Sequence, residues 1–464
     1  MKNCVLLFSL LFIVLGVMAG CKKEPSVVSD EEIVDDHGNV VVESVFQDGS
    51  KLYFKLLSDA TAEVVGRESF YGSDSNLGYQ YRGEVVIPSS ITHLNHTYNI
   101  VAIGEGAFEN CKLVETVIIP NSVVNIKDRA FQLCSNMVSC SIPSGLEYIG
   151  EQTFFDCESL YGELVIPNTV NSIKEATFSG CKNITAIIIP NSISSIERLA
   201  FNNCCSLTSI HLPNELKVVG EKCFYGSGIT SITIPSTVTS IGQSSFANTS
   251  LKTIYFEEGS NLKSIGNSAF HGCPLESLDL PNSLNTIGDG AFANCKELLR
   301  VTIPESMQRI GKKAFFGCEK LYSLDFNAIE CSIELESVYF DGGVLQGCIN
   351  WLSGCTELNN LTFGNSVRVV PYCSFFDCSS LDGNLILPSS VTKVEARAFA
   401  HCHYETITCL TPNPPLLETQ KYYEYPFYTV YPFYCDTILV PSESVEDYKA
   451  APVWSDLRDK IIGF

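Results

Sequence analysis

The stretch that decides the fold runs from Leu278 to Cys295 and reads LDLPNSLNTIGDGAFANC. Its fixed points are the Pro281 that ends the first apolar run, the pair Ile287-Gly288, Phe292 and Cys295. This combination returns about every 23 residues, and a fixed period of this length is typical of stacked repeat architectures. With Leu352 filling one slot, thirteen copies place their central residue at Phe108, Phe131, Phe154, Phe178, Phe201, Phe224, Phe246, Phe270, Phe292, Phe315, Leu352, Phe375 and Phe399.

The spacing within the repeat indicates which half is rigid. The distance from the proline to the phenylalanine is eleven residues in nine copies, whereas the distance from the cysteine to the next proline varies. Before the proline, polar and apolar residues alternate, so Ile232 and Ile234 are predicted to point inward from a strand. The proline then removes a ladder donor and ends the strand. We therefore expect a fixed unit after Pro120, Pro143, Pro167, Pro190, Pro213, Pro235, Pro281, Pro304 and Pro388.

The predicted fold class is a solenoid, mostly β with short turns and 3-10 segments, of about thirteen repeats of about 23 residues with caps at both ends. The repeats are assigned to 89–410. Residues 41–88 are predicted to form an N-terminal β cap with strands at 52–56 and 62–65, since the end of a solenoid otherwise exposes its apolar interior. Residues 411–464 are predicted to form a C-terminal cap with a strand at 437–441 and a short helix at 445–448 beside Trp454.

One interruption breaks the period between Phe315 and Leu352, which are 37 residues apart. Two strand-like segments, 321–326 and 335–340, compete for one place in the repeat. About fourteen extra residues are therefore predicted near 327–340, as a loop or hairpin. Insertions in solenoids often lie on the binding face, although a tolerated surface loop is the plainer interpretation.

The N-terminus has the pattern of an export signal. Lys2 precedes an almost wholly apolar run from 5 to 18, which is too short for a membrane span. The sequence Met18-Ala19-Gly20-Cys21 resembles the lipobox of bacterial lipoproteins, which implies a signal peptide at 1–20 and lipidation of Cys21. The polar residues 21–40 are then predicted to be a flexible tether. The expected location is the bacterial outer membrane, lipid-anchored and surface-exposed, with an ordinary secretory signal as the alternative.

The net charge of −22 argues against a nucleic-acid partner, because phosphate binding needs clustered Lys and Arg. No run of basic residues is longer than Lys22-Lys23 or Lys312-Lys313. We expect the acidic surface to aid solubility.

The 21 cysteines are mostly periodic. Their recurrence three residues after the central slot favours a buried ladder of free thiols over disulfides. Cysteines outside this ladder are the stronger candidates for bridges, namely the pairs Cys205 with Cys223 and Cys409 with Cys435. The ladder positions are Cys111, Cys134, Cys157, Cys181, Cys204, Cys273, Cys295, Cys318, Cys355, Cys378 and Cys402.

The sequence favours no catalytic or metal site. His401-Cys402-His403 followed by Cys409 has ligand-like spacing, but Cys402 belongs to the inward ladder, so its neighbours should point elsewhere. No Ser/His/Asp arrangement, phosphate loop or carboxylate pair stands in a recognisable context. We expect no enzyme activity, no metal and no cofactor.

The candidate binding surface is the concave sheet, because solenoid curvature makes it an extended groove. Its outward row lies two residues before each proline slot and is apolar early and more polar later. Tyr339 replaces Asp325 if 335–340 is the true strand. The apolar residues at the beginning of the row can bind a protein or pack beneath the N-terminal cap. The row is Ile118, Ser141, Val165, Ile188, His211, Thr233, Tyr255, Asp279, Thr302, Asp325, Thr362 and Ile386.

The run 207–213, LTSIHLP, satisfies the strand pattern of leucine-rich repeats. The whole phrase, Ile-Pro-x-Ser-Val-x-x-Ile-Gly-x-x-Ala-Phe-x-x-Cys, resembles the BspA-like subclass of that family over about 83–410, and Pro281 to Cys295 shows nearly all of it. The resemblance implies a leucine-rich repeat solenoid similar to surface proteins of host-associated anaerobic bacteria, some of which are adhesins for host matrix proteins. The family's asparagine slot is mostly Ser or Thr here, so an asparagine ladder is not expected.

Three functions remain open from the sequence. The leading hypothesis is a lipid-anchored surface protein that binds an unknown protein partner, such as host extracellular matrix, in adhesion. The second is a structural or assembly role in the envelope without a host ligand. The third is a glycan-binding component of a sugar-uptake system, suggested by the aromatic run 422–427, for which capping is the favoured interpretation.

Overall fold

The computed structural model describes residues 25–35, 38–57, 59–66, 81–339, 345–421, 429–430 and 432–464. The chain divides into two compact units, an N-terminal unit (Met1–Ser192) and a C-terminal unit (Ile193–Phe464). The predicted fold class is confirmed: the fold is a β-solenoid of about 15 turns of about 23 residues with almost no helix.

The described residues of the N-terminal unit contain fourteen strands. They are β1 Val27–Val34, β2 Val40–Phe46, β3 Lys51–Leu56, β4 Thr61–Val65, β5 Arg82–Val86, β6 Ser90–His93, β7 His96–Ile103, β8 Leu113–Ile118, β9 Asn125–Ile126, β10 Ser139–Cys140, β11 Tyr148–Ile149, β12 Gly162–Val165, β13 Ser172–Ile173 and β14 Ile184–Ile188.

The residues before the repeats form an antiparallel sheet that joins the solenoid. β1 pairs with β2, β2 with β3 and β3 with β4 in antiparallel fashion, and β4 runs parallel to β7. The predicted strands at 52–56 and 62–65 are thus confirmed as β3 and β4, while the role of this sheet as a cap stays a prediction. The predicted tether over 21–40 is wrong where β1 lies, because the main chain of β1 is paired with β2 despite its mostly exposed side chains.

The other strands and the helices of the described residues lie in the C-terminal unit. The strands are β15 Ser195–Ile196, β16 Val218–Val219, β17 Ser231–Ile234, β18 Ser240–Ile241, β19 Thr253–Phe256, β20 Ser264–Ile265, β21 Leu278–Asp279, β22 Thr286–Ile287, β23 Arg300–Ile303, β24 Arg309–Ile310, β25 Ser323–Phe326, β26 Ser332–Ile333, β27 Glu336–Tyr339, β28 Leu345–Ile349, β29 Asn360–Phe363, β30 Val369–Val370, β31 Asn384–Leu387, β32 Lys393–Val394, β33 His403–Cys409, β34 Leu416–Leu417, β35 Gln420–Lys421, β36 Thr429–Val430, β37 Tyr434–Val440 and β38 Ile461–Gly463. Helix α1 spans Val445–Ala450, and 3-10 helices span Ser442–Ser444 and Trp454–Lys460.

Each repeat turn has three sides, as the turn that begins with β17 shows. The first side is β17, in which Ile232 and Ile234 are buried between exposed neighbours, as predicted. The second is the two-residue strand β18, which buries Ile241. The third is a tight turn that buries Phe246, whose N–H donates to the carbonyl of Ala269 in the next turn at 2.8 Å. Main-chain hydrogen bonds therefore join successive turns on all three sides.

Two parallel sheets in the C-terminal unit run along these sides. The short strands pair in the order β15-β16-β18-β20-β22-β24-β26, and the long strands β21-β23-β25-β29 form a four-stranded ladder. Segment 207–213, which matches the leucine-rich-repeat strand pattern, is not in a strand. Leu207 and Leu212 are nevertheless buried, so the apolar pattern correctly predicts the core although no ladder forms.

A column of phenylalanine rings fills the centre of each unit, as predicted. Successive rings from Phe108 to Phe178, from Phe201 to Phe315, and in the pair Phe375 and Phe399 are stacked at 5.0 to 5.5 Å between centroids, with planes 1° to 12° apart. Offset stacking of this kind adds to the burial energy of each ring.

The cysteine ladder lies beside the rings. At least eight of its thiols donate to the carbonyl oxygen of the phenylalanine of the preceding turn, with sulfur–oxygen distances of 3.0 to 3.3 Å. The proposed bridges do not form, since all four of those cysteines are free. Cys205 is exposed whereas Cys223 is buried in the slot before Phe224, and Cys409 and Cys435 lie at different heights along β33 and β37.

The tight turn uses the left-handed backbone region twice, two residues before and two after the central slot. At the second of these positions φ is positive in all thirteen copies. Such a backbone favours Gly, Asn or Asp, and eleven copies comply. The residues are Asn110, Leu133, Asp156, Gly180, Asn203, Gly226, Asn248, Gly272, Asn294, Gly317, Gly354, Asp377 and His401.

The structure moves the predicted insertion a few residues along the chain. β25 pairs with β23 and β29, and β26 pairs with β24, so the repeat continues regularly to Ile333. The extra residues are the antiparallel hairpin β27–β28 within 336–349, rather than 327–340. After it, Trp351 is fully buried and its Nε1 donates to the carbonyl of Ser374 at 2.7 Å.

The last residues of the chain pack against the final long strands. β31, β33, β37 and β38 form one parallel sheet, which confirms the predicted strand near 437–441. Helix α1 confirms the predicted helix, and its Tyr448 hydroxyl donates to the carbonyl of Thr411 at 2.8 Å. The Nε1 of Trp454 donates to the carbonyl of Pro415 at 2.7 Å. The aromatic run 422–427 lies outside the described residues, and a capping role for this region stays a prediction. Among the helices of the described residues, none is long and apolar enough to cross a membrane.

Candidate functional site

The predicted row lies on the outer side of the long strands, except for Ser141 and His211, which lie at the corresponding positions outside any strand. None of its twelve residues is buried: eight are exposed, and Ile118, Ser141, Thr302 and Asp325 are half-buried. The residues on either side of each row position in the strand are mostly buried and apolar, because side chains alternate across a strand. The row thus consists of varied side chains on a fixed scaffold, which is the usual arrangement of a recognition surface.

In the N-terminal unit the row is apolar except for Ser141. Val165 lies directly opposite Ile188 in the parallel pair β12–β14. Both are exposed, by 52% and 48% respectively. Val138 and Tyr161 form a second exposed apolar pair, in which the N–H of Tyr161 donates to the carbonyl of Val138 at 3.1 Å. The predicted row, which lies two residues before each proline slot, does not include these two residues, because they precede strands β10 and β12. Ser141 is the polar member of the row in this unit, and its hydroxyl accepts the N–H of Ile119 at 2.7 Å.

In the C-terminal unit the row becomes polar and acidic. Asp279 lies opposite Thr302, Thr302 opposite Asp325, and Asp325 opposite Thr362. The Asp325 carboxylate accepts hydrogen bonds from the hydroxyls of Thr302, at 3.3 Å, and Thr362. Asp325 is therefore the true row residue, and Tyr339 lies in the inserted hairpin. These two hydrogen bonds hold the carboxylate in one orientation.

A groove opens beside the middle of the row in the C-terminal unit. It has a volume of about 400 Å³ and is lined by Tyr255, Glu257, Ser260, Asp279, Asn282 and Ser283 among others. The neighbouring row residues Thr233 and His211 are exposed and lie on its N-terminal side along the chain. The groove brings together two predicted site residues, Tyr255 and Asp279, with turn residues that do not belong to the predicted row.

The row continues beyond its last predicted member. Ile386, which is exposed, lies opposite Thr408, and Thr408 lies opposite Leu439. Leu439 in turn lies opposite Ile462, which is also exposed. The repeat phrase fades after Phe399, so its spacing could not identify these positions. Of these positions, the sequence indicates only Leu439, through the alternating apolar pattern of 437–441.

The ligand-like cluster near His401 is divided by the fold. The thiol of Cys402 is buried and donates to the carbonyl of Phe375 at 3.1 Å. His401 and His403 are exposed and lie near Asp377 and Asp436, with nitrogen–oxygen distances of 3.5 and 3.4 Å. In the described part of the chain, no group of three or more His, Cys, Asp or Glu side chains could hold a metal ion. The predicted lipidation site, Cys21, lies outside the described residues.

Solved structures with this architecture come from several bacteria. A leucine-rich repeat protein from Bacteroides ovatus ATCC 8483 is 23% identical, with a TM-score of 0.62, covering 89% of this chain and 98% of that one. A leucine rich cell surface protein from Faecalibacterium prausnitzii A2-165 is 22% identical, with a TM-score of 0.40, covering 72% and 95%. The pneumococcal vaccine antigen PcpA is 17% identical, with a TM-score of 0.43, covering 82% and 94%. No curated protein matches the chain.

The repeat itself identifies the family. The model of the BspA type leucine rich repeat region matches six copies, over 87–162, 161–273, 256–344 and 348–429, which together make up more than half of the 464 residues. These ranges contain every predicted row residue. The chain belongs to the BspA type leucine-rich repeat family.

Proposed function

We propose that the protein is a lipid-anchored cell-surface protein that binds a protein partner through its outward row, in adhesion to host or neighbouring-cell proteins. The observation that carries this proposal is the row itself. It places Ile, Val, Tyr, His, Thr and Asp side chains in solvent at one register, while the core of every turn repeats the same residues.

The apolar pair Val165 and Ile188 gives the surface a source of binding energy. Burying one such side chain completely contributes about 1.5–3 kcal/mol, and about half of each is exposed. Tyr161 and Val138 add a second exposed pair, and aromatic and aliphatic side chains of this kind are typical of interface centres. The acidic row of the C-terminal unit adds electrostatic specificity.

The family supports a repeat protein that works by binding, because its repeated structure supplies surface and core but no recurring catalytic group. Export and anchoring rest on the N-terminal sequence, in which Cys21 follows the apolar run. The envelope-assembly and glycan alternatives are outcomes of the experiments that follow.

The first experiment tests the binding surface. The full chain, purified in mild detergent, is used to capture proteins from host extracellular matrix. The double variant Val165→Ser/Ile188→Ser should capture its main partner about thirtyfold less well, since about 1 kcal/mol is lost per side chain. The matched control is Val218→Ser/Leu416→Ser, which removes exposed apolar side chains from the short strands instead. Equal capture by both double variants, or no partner at all, would overturn protein binding through the row.

The second experiment tests the location. Intact cells are treated with a protease, and the protein is followed in the membrane fraction. Cleavage on intact cells is expected, as is release of the Cys21→Ser variant from the membrane. Survival of the protein on intact cells would favour a periplasmic assembly role.

A further inference from the structure

We propose that the groove between Tyr255 and Asp279 takes an arginine side chain of the protein partner. This inference rests on the proposed function and specifies the chemistry of the partner at one point of the row. It concerns only the C-terminal unit.

The groove arises from a longer turn after β19. Phe256 lies opposite Ile234, so Glu257 occupies the place that Pro235 holds in the preceding turn. From Glu257 to Phe270 there are thirteen residues instead of eleven, and Gly259 takes a φ of +71° in the widened turn. The long-strand ladder ends at β19, and a new one begins at β21. The groove lies where these two ladders meet.

The tyrosine ring forms one wall. Tyr255 is 58% exposed and lies opposite Thr233 in the strand pair β17–β19. A ring of this exposure presents an aromatic face to a ligand, and cations bind such faces. The opening beside Gly259 is unfilled, because an added Cβ there would contact no atom within 4 Å.

Carboxylates supply the charge of the groove. Glu257 and Asp279 both line it, and no Lys or Arg does. One oxygen of Glu257 accepts the N–H of Ser236 at 2.8 Å, which holds this carboxylate in place. Within the described residues, the carboxylate of Asp279 has no hydrogen-bond or ion-pair partner, although its main chain belongs to the β21–β23 pair. Arg300 donates a hydrogen bond to the hydroxyl of Tyr322 at 3.2 Å, and this bond is the main cause of its raised pKa. The negative charge of Asp279 raises the pKa of Arg300 further.

A guanidinium group matches this combination of groups. It is planar, stacks on aromatic rings and donates two parallel hydrogen bonds to a carboxylate. A neutral sugar would also stack on Tyr255, but it would offer no positive charge to Glu257 and Asp279. The net charge of −22 favours approach of a basic partner as well.

The test uses the full chain and three capped decapeptides of Gly and Ser. They carry two arginines, two lysines or two citrullines, citrulline being the neutral analogue of arginine with nearly the same shape. Binding is measured by thermophoresis at physiological salt. The arginine peptide should bind about tenfold more tightly than the citrulline peptide, with the lysine peptide between them. Equal binding of the arginine and citrulline peptides would overturn the assignment.

Variants locate the binding. Tyr255→Ala and Asp279→Asn should each lower the affinity for the arginine peptide about fivefold or more. Asp382→Asn, an exposed aspartate with the same change of charge, should leave it unchanged. A loss with Asp382→Asn as large as with Asp279→Asn would mean diffuse attraction rather than a site. Binding of neutral glycans that needs Tyr255 but not Asp279 would replace arginine with a sugar. All three residues are exposed, and circular dichroism checks that the variants fold.

The two proposals fail separately. If the partner captured by the full chain is lost with Val165→Ser/Ile188→Ser but retained with Tyr255→Ala and Asp279→Asn, the groove assignment fails and the proposed function stands. If no row variant affects capture, the proposed function fails, whatever the peptides do.

Discussion

The Sγ of Cys295 donates a hydrogen bond to the carbonyl oxygen of Phe270, 3.3 Å away and one turn earlier in the chain. The same bond joins seven other turns to their predecessors. Each thiol therefore satisfies a carbonyl beside the aromatic column, and its position ties one turn to the next. The periodic cysteines are structural in this chain.

Thiol reactivity should follow burial. Desolvation raises the pKa of Cys157, Cys223 and Cys295 well above its usual range, so these thiols form almost no thiolate at neutral pH. In the native protein, a thiol reagent should modify the exposed Cys205 rapidly and Cys295 only after denaturant is added. Peptide mapping by mass spectrometry after timed labelling measures both rates. Labelling of Cys295 as fast as Cys205 in the native protein would contradict a buried ladder.

Ser227 occupies a ladder slot without the sulfur. Its side chain is buried, and within the described residues its hydroxyl has no hydrogen-bond partner. Ser227→Cys should raise the free energy of unfolding by about 1 kcal/mol, because a buried unsatisfied hydroxyl is replaced by a weakly polar thiol. Urea denaturation measures the change. Ser227→Ala is the control that separates removal of the hydroxyl from the packing of sulfur, and destabilisation by both substitutions would contradict the prediction.

The aromatic column should be intolerant of truncation. Phe270 is fully buried between Phe246 and Phe292, each 5.2 Å away. Phe270→Ala should lower the free energy of unfolding by about 3–5 kcal/mol, since it leaves a cavity in a column with no other side chain to fill it. Phe464→Ala, at an exposed phenylalanine, should cost little. Similar denaturation midpoints for the two variants would show that the column is not continuous.

Replacing Leu133 should make the fold more stable. Its φ of 61° lies in the left-handed region, at a slot where eleven of the thirteen copies have Gly, Asn or Asp. Leu133→Asn should stabilise the protein by about 0.5–1 kcal/mol, because asparagine adopts this backbone at lower cost. Leu133→Ala is the control, since it removes the side chain but retains the strain. The two thermal midpoints are compared, and a lower midpoint for Leu133→Asn than for Leu133→Ala would contradict the interpretation.

His93 should make β1 sensitive to pH. Desolvation lowers the pKa of His93, but hydrogen bonds to Asp30 and Glu32, at 3.1 and 3.2 Å, outweigh it and raise the pKa above 6.5. A raised folded-state pKa means that this stabilisation is fully present below 6.5 and is lost as pH rises through the folded value. Amide exchange in β1, corrected for intrinsic rates, should therefore be slower at pH 6 than at pH 8. His93→Gln should remove this difference; an unchanged difference would assign it to other groups.

The sequence predicts the core of this fold because the core repeats. The inward positions of β17, Ile232 and Ile234, follow from alternation alone, and the phenylalanine column follows from the period. The insertion could not be located because 321–326 and 335–340 have similar apolar patterns. Only the pairing of β25 with β23 and β29 distinguishes them, and pairing depends on neighbours rather than on local composition.

The candidate site could be predicted only in part, for a similar reason. The row follows from strand alternation, so the sequence identifies Tyr255 and Asp279 as outward residues. The groove between them depends on two extra residues after Phe256 and on the end of one strand ladder at β19. The sequence spacing reveals the extra residues, but it does not show where they lie in the fold. The exposed apolar neighbours Val138 and Tyr161 lie before the regular strands and follow no period.

The glycine that follows each of the short strands β16, β18, β20, β22 and β24 has a consequence for how such a chain can change in length. A Cβ on Gly266 or Gly288 would lie within 2.8 Å of the main chain of the preceding turn, so the turns that carry these glycines fit the preceding turn in one register only. Duplication or loss of one whole period preserves that fit, whereas a change of a few residues within the Pro-to-Phe half does not. Recombination between repeats can therefore lengthen or shorten the array, and with it the number of side chains offered to a partner, without requiring a new core.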